Sequence, residues 1–428
     1  MRLSANNNSI AFARFVCNYI YTDANADSNP VLQGGHTGGF ELDKAGYYLI
    51  VDTSPFSEGD SYHAYNSFLL KVNKDHYHVQ ITPKVVKPTV EKEVYDNNDI
   101  GSTGGWGSSA DHAINEPFQF RLIAKLPASE GRAYDYYKKY TVCFNDTLSE
   151  GITFDKLDKV EIANVDGGNP QVIDAANYTR NPNVSQSFKL SIDNVKTCAA
   201  AAGLDLNDGA TITVTYTAHL NENAAVNGSA ENKNSVRLQY SNNPRPDGEY
   251  LGYTPNYTPE SEVYVYTYQL NNTKLAENEH GAPLKDVGFR LYSDADYKNE
   301  VELYQDGEFY YPIKNASNKQ AVEMKSAEDG TFNVKGLDAG TYYLKETKTP
   351  ADYNPCDVPP VIIKANHKGN QVDLNGSTLS TTIINKKAGG ITLPSTGGIG
   401  TTIFYVVGGG LMVAAIVLLV TKKRMENK

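Results

Sequence analysis

The sequence predicts an all-β protein, with several Ig-like β-sandwich domains in tandem followed by a single C-terminal transmembrane helix. Three observations predict it. Thirty tyrosines, 35 glycines and abundant Thr and Val favour strands joined by turns. Short alternating runs recur along the chain without a sustained heptad pattern or a long soluble helix. One apolar run, Ile403 to Val420, matches the ~20 residues that cross a bilayer.

The length of 428 residues leaves room for two to four domains, and 40% hydrophobic residues suffice for their cores. A formal net charge of −11 argues against nucleic acid as a partner.

The first segment, residues 1–83, contains strand signals at Phe40-Glu41-Leu42, Gly46 to Asp52 and Tyr77 to Ile81. About 80 residues is small for a sandwich. Met1 to Tyr21 places Ile10, Phe12, Phe15, Val16 and Ile20 around Arg14 and Asn18, which reads as an amphipathic helix rather than a signal peptide. A truncated first domain is the expectation.

The second segment, 84–245, opens with Lys87 to Val94. It continues through strands at Phe118 to Ile123, Tyr140 to Phe144 and Thr211 to Tyr216, and closes with Asn232 to Tyr240. Ile100 to Ala110, with Gly104-Gly105-Trp106-Gly107, reads as a loop. The stretch Asn242 to Pro259 is rich in Pro, Asn and Gly, and a linker is expected at 246–261. The third segment, 262–387, has strands at Val263 to Leu270, Val287 to Tyr292 and Thr341 to Lys345. Residues 388–428 form a short tether and a C-terminal signal.

The four cysteines, Cys17, Cys143, Cys198 and Cys356, show no CxxC metal spacing. A Cys143–Cys198 pair and four free thiols both remain open. His76 and His78, at i and i+2 on a strand, read as a solvated face more than a metal site. No Ser/His/Asp order, HExxH or phosphate loop is present, so no turnover enzyme, metal or cofactor is expected.

The C-terminal signal has four parts in order. Leu393-Pro394-Ser395-Thr396-Gly397 comes first, then a Gly-rich spacer, the apolar run, and Lys422-Lys423-Arg424. Pro394 gives an extended, kinked backbone that an active site can grip. Gly408 to Gly410 are tolerated in a membrane helix, and the basic cluster holds the tail in the cytoplasm. The bulk of the chain then lies outside the membrane.

This order resembles the LPxTG cell-wall sorting signal of Gram-positive surface proteins. The resemblance implies that a sortase cysteine attacks the carbonyl of Thr396 and releases everything from Gly397 onward. Segment two resembles the isopeptide-forming middle domain of Gram-positive shaft pilins, on Lys92, Asp146 in Asn145-Asp146-Thr147-Leu148, and Asn234 in Asn232-Lys233-Asn234-Ser235-Val236. Segment three resembles a collagen-adhesin B-type (CnaB) domain, on Lys274, Glu346 in Glu346-Thr347-Lys348-Thr349-Pro350, and Asn385 in Thr382-Ile383-Ile384-Asn385. Ala351-Asp352-Tyr353 departs from the Gly-Tyr usual after that proline.

Each triad implies one self-crosslinking reaction. A lysine amine attacks the Asn side-chain carbon and ammonia leaves, while Asp146 or Glu346 acts as the promoting acid. Glu116 is a second candidate acid in segment two. Shaft pilins also carry an acceptor lysine in a Tyr-Pro-Lys-Asn-like motif before the middle domain. Pro83-Lys84 matches its Pro-Lys pair, with Lys87 as the competitor.

The resemblance implies an extracellular, wall-anchored pilus subunit. Its expected partners are pilus-specific and housekeeping sortases, identical subunits, minor pilins, peptidoglycan and host surface ligands. The membrane would be engaged only through the C-terminal span. A monomeric wall-anchored adhesin, or a basal or tip pilin, is the alternative.

Overall fold

A computed structural model describes residues 46–51, 67–72, 87–97, 104–129, 132–181, 187–242, 257–316 and 318–389. Lys84, the sorting pentapeptide, the expected membrane span and the expected N-terminal helix lie outside these residues. Among the described residues no helix is long and apolar enough to cross a membrane. Of the first segment, an antiparallel pair is described, Gly46–Val51 with Ser67–Val72.

The middle domain packs two six-stranded sheets face to face. In order of hydrogen-bonded neighbours, one sheet runs Tyr178–Arg180, Ser187–Ile192, Val142–Leu148, Lys233–Tyr240, Ser261–Tyr266 and Ser109–Asp111. The other runs Gly105–Gly107, Thr89–Asp96, Pro117–Leu126, Ala210–Leu220, Ile152–Asn164 and Gln171–Val172. The sequence alternation explains both inner faces. Phe118, Phe120, Leu122, Ala124 and Leu126 point inward from one strand, and Ala210, Ile212, Val214, Tyr216 and Ala218 from its neighbour. Among the described residues one short α-helix, Val195–Ala201, packs Val195, Cys198 and Ala199 into the core.

The C-terminal domain is a smaller sandwich. Its five-stranded sheet runs Leu303–Asp306, Phe309–Pro312, Asn333–Leu337, Tyr268–Ala276 and Ser380–Asn385. Its four-stranded sheet runs Met324–Lys325, Gly288–Tyr292, Gly340–Lys348 and Val361–Ile363. A hairpin, Asn366–Lys368 with Gln371–Asp373, stands apart from both sheets.

Three sequence expectations are corrected by tertiary pairing. The run Val263 to Leu270 is not one strand of the third segment. Ser261–Tyr266 pairs with Lys233–Tyr240, buries Val263 and Val265 in the middle core, and hands over at Thr267 to Tyr268–Ala276. The crossover is therefore Thr267, not residue 262, and Asn234 sits one strand before the end of its sandwich. Tyr257 and Thr258, expected in the linker, already bond back to Gln239 and Leu238. The Gly-rich stretch expected as a loop contributes two strands. Gly105–Gly107 pairs with Thr89–Asp96, and Trp106 stacks edge-on against Tyr95 at 5.3 Å. Ser109–Asp111 runs parallel to Tyr264–Tyr266. Local composition disfavours strand there, but an open sheet edge supplies the partner.

Candidate functional site

Period-2 alternation turns a lysine, an acid and an asparagine into the middle core. Lys92 shares the inner face of its strand with Val94, Asp146 with Val142 and Phe144, and Asn234 with Val236 and Leu238. Lys92 comes from one sheet, and Asp146 and Asn234 from the facing one.

The Lys92 and Asp146 side chains are both 0% exposed. Lys92 Nζ donates to Asp146 Oδ1 and, at 3.1 Å, to Tyr216 Oη. Tyr216 donates to Asp146 Oδ2 at 2.6 Å and accepts from Asn234 Nδ2 at 2.5 Å. Asn234 Oδ1 is buried without a hydrogen-bond partner. The rings of Phe120 and Tyr216 lie 5.3 and 5.4 Å from the ammonium.

Burial pushes Lys92 down to about 8 and Asp146 upward, each against the pull of the opposite charge. Both shifts favour the neutral amine and the neutral acid over the charged pair. Tyr216 links the acid to the amide and was not singled out from the sequence. The signal was present, because Thr211 to Thr217 alternates strictly and puts residue 216 on the apolar face. Glu116, the other candidate acid, bonds Ala113 N and pairs with Lys314 at 3.6 Å, and it takes no part in this cluster.

The C-terminal cluster has a different geometry. Lys274 and Asn385 lie on neighbouring parallel strands, the first and last of the sandwich, with Ala276 opposite Asn385. Glu346 reaches across from the other sheet. Lys274 and Asn385 are both 0% exposed, and the Glu346 side chain is 1% exposed.

Lys274 Nζ donates to Asn385 Oδ1 and lies 4.0 Å from Glu346 Oε2. Asn385 Nδ2 donates to Glu346 Oε1 at 2.7 Å. Burial lowers the pKa of Lys274. Cys356 completes this site. Its thiol donates to Glu346 Oε2 at 3.0 Å and accepts from Lys274 at 3.7 Å, and burial pushes it up to about 12. Cys356 comes from a connection between strands, so no periodicity marks it. Cys143 and Cys198, whose pairing the sequence left open, are separate buried free thiols.

Two families match parts of the chain. Residues 269–378 match SpaA, a prealbumin-like fold domain, and residues 385–427 match the LPXTG cell wall anchor motif. The chain is a cell-wall-anchored surface protein. The anchor marks it as a sortase substrate destined for peptidoglycan.

No curated protein matches the chain significantly. Among solved structures, the T6 backbone pilin of serotype M6 Streptococcus pyogenes is similar, with 15% identity and a TM-score of 0.55, over 90% of this chain and 89% of that one. The full-length major pilin SpaD of Corynebacterium diphtheriae is similar with 21% identity and a TM-score of 0.50, over 80% of each chain. At such identities the likeness is one of fold.

Proposed function

We propose that this anchored protein is the shaft subunit of a covalent pilus assembled by sortase, with each sandwich locked by its own Lys–Asn isopeptide bond. The observation that carries the proposal is the burial of a lysine, an acid and an asparagine together, twice, in a chain bearing a wall-anchor motif. The extended likeness of fold to a backbone pilin adds support.

In the C-terminal site the neutral amine of Lys274 attacks Cγ of Asn385. The Nζ–Cγ bond forms, the Cγ–Nδ2 bond breaks, and ammonia leaves with the proton given up by Nζ. Glu346, already bonded to Nδ2, is placed to protonate the leaving nitrogen. In the middle site Asp146 takes the proton from Lys92, and Tyr216 carries one onward to Nδ2 of Asn234. The sandwich supplies proximity, which is worth ~7–11 kcal/mol of barrier in well-oriented reactions. Each bond closes a loop of more than a hundred residues. On loop-entropy arguments such a closure stabilises the fold by roughly 4–5 kcal/mol.

Polymerisation uses Lys84, whose amine attacks the acyl-enzyme formed at Thr396 of the next subunit. Pilus-specific sortases perform this step, and a housekeeping sortase transfers the last subunit to the wall. Host ligands would meet the assembled fibre.

Intact-mass measurement of the full chain tests the crosslinks. Loss of two ammonia molecules, with tryptic peptides joining Lys92 to Asn234 and Lys274 to Asn385, is expected; an unshifted mass refutes them. Expression beside a pilus sortase tests assembly. A ladder that survives SDS should collapse to monomer in Lys84→Ala and persist in Lys87→Ala. A wild-type chain that stays monomeric on the wall would favour the monomeric adhesin.

A further inference from the structure

The junction between the two sandwiches holds a second buried polar cluster that neither crosslinking site uses. Asp96 ends the first strand of the middle domain, and Asp111 ends the strand made from the Gly-rich stretch. His367 belongs to the separate hairpin of the C-terminal domain. The three side chains are 5%, 1% and 4% exposed. His367 Nε2 lies 3.1 Å from Asp96 Oδ2 and 3.5 Å from Asp111 Oδ1. All three candidate ligand atoms fall within 4.8 Å of one another.

We propose that Asp96, Asp111 and His367 bind a divalent transition-metal ion of the zinc class, which clips the middle and C-terminal sandwiches together.

Four features support the assignment. First, the spacing fits. Ligands ~2.0–2.1 Å from a tetrahedral ion stand ~3.4 Å from each other, and the two separations at Nε2 bracket that value. Second, the ligands are already oriented. His367 Nδ1 faces Ser109 Oγ at 3.0 Å, and an N–H donating there leaves the Nε2 lone pair aimed at the carboxylates. Ser109 Oγ is fixed in turn by the Gly369 N–H at 3.1 Å. Tyr268 donates to Asp111 Oδ2 at 2.8 Å and leaves Oδ1 turned toward His367. A histidine and a carboxylate each held by a hydrogen bond on the far atom is the usual outer-shell pattern of a metal site.

Third, Asp111 Oδ1 and His367 Nε2 are buried atoms without a hydrogen-bond partner. Such atoms are costly unless something binds them. Fourth, the charge calls for a dication. Two buried carboxylates with an imidazolium carry a net −1, whereas a divalent ion on the neutral ring brings the cluster to zero. An imidazole ligand with only two carboxylates suits zinc, manganese or cobalt better than calcium, which takes six to eight oxygens.

The test uses the full-length chain stripped with chelator and titrated with Zn2+ alone, then with Co2+ as an optical probe. Wild type is expected to hold one more equivalent of Zn2+ than His367→Gln and Asp111→Asn. Ser109→Ala, which removes only the orienting contact, is expected to bind ~10–100-fold more weakly. The Co2+ form should show the intense visible bands of a four-coordinate N/O site, a readout that needs no variant. Equal Zn2+ stoichiometry in wild type and both ligand variants would overturn the proposal, as would a Co2+ spectrum no different from the free ion. Either result would leave an imidazolium held between two carboxylates.

Discussion

Removing the middle crosslink should lengthen the protein under load by a specific amount. Force enters the middle domain at Thr89–Asp96 and leaves through Ser261–Tyr266 and Thr267. A bond from Lys92 to Asn234 shunts the force past everything between them. A bond from Lys274 to Asn385 does the same in the C-terminal sandwich, where it joins neighbouring parallel strands. Between the two shunts remain about 40 residues, which at ~3.5 Å each extend by at most ~140 Å. Asn234→Ala frees the loop of about 140 residues, so the variant should give one additional event of roughly 500 Å. Single-molecule force spectroscopy of the full chain, tethered at its ends, measures the difference. Contributions from residues before Lys87 are common to both proteins and cancel. A wild-type chain whose mass shows both bonds, yet which still gives the 500 Å event, would refute this force path.

Four further outcomes follow from the geometry. Tyr216→Phe should slow middle-domain crosslinking while leaving the Lys274–Asn385 bond intact. It should also cost about 1–3 kcal/mol by stranding Asp146 Oδ2 and Asn234 Nδ2; time-resolved intact mass and denaturant melts check the two effects. Glu346→Ala should leave the chain one ammonia heavier than wild type, because the acid beside the leaving nitrogen is gone; peptide mapping should then find only the Lys92–Asn234 link. Crosslinking of freshly refolded chain in the middle domain should speed up as pH rises towards about 8, since the attacking amine must lose its proton and burial sets Lys92 there; a rate that falls over that range contradicts the buried-amine mechanism. Gly336→Ala should loosen the junction. The backbone there has φ +88°, Ile114 donates its N–H to the Gly336 carbonyl at 2.9 Å, and an added Cβ would sit 2.4 Å from Ile114 Cδ1. Two separated thermal transitions in place of one would show it.

The sequence by itself determined the class and the anchor, and its resemblance to pilin domains nominated the members of both triads. Resemblance to pilin domains, carried by short contiguous motifs, picked out Lys92, Asp146, Asn234 and Lys274, and the structure turns all four inward with the apolar residues. The anchor is legible for the same reason, because its parts are contiguous.

Only the tertiary structure decided which residues share a site with those triads and where one sandwich ends. Tyr216 bridges Lys92, Asp146 and Asn234 because Ala210–Leu220, in the same sheet as Lys92, sets it opposite the other two. Cys356 reaches Glu346 from a connection that carries no periodic pattern. Val263 to Leu270 reads as one strand because each residue alternates correctly, but the partners on its two halves differ, and pairing rather than propensity puts the break at Thr267. The Gly-rich stretch carried no strand signal. It becomes a strand because the sheet edge at Tyr264–Tyr266 offers it hydrogen bonds, and that pairing is what brings Ser109 and Asp111 to His367, more than 250 residues away in sequence. Long-range contact of this kind depends on how the two sandwiches meet, and no local pattern encodes it.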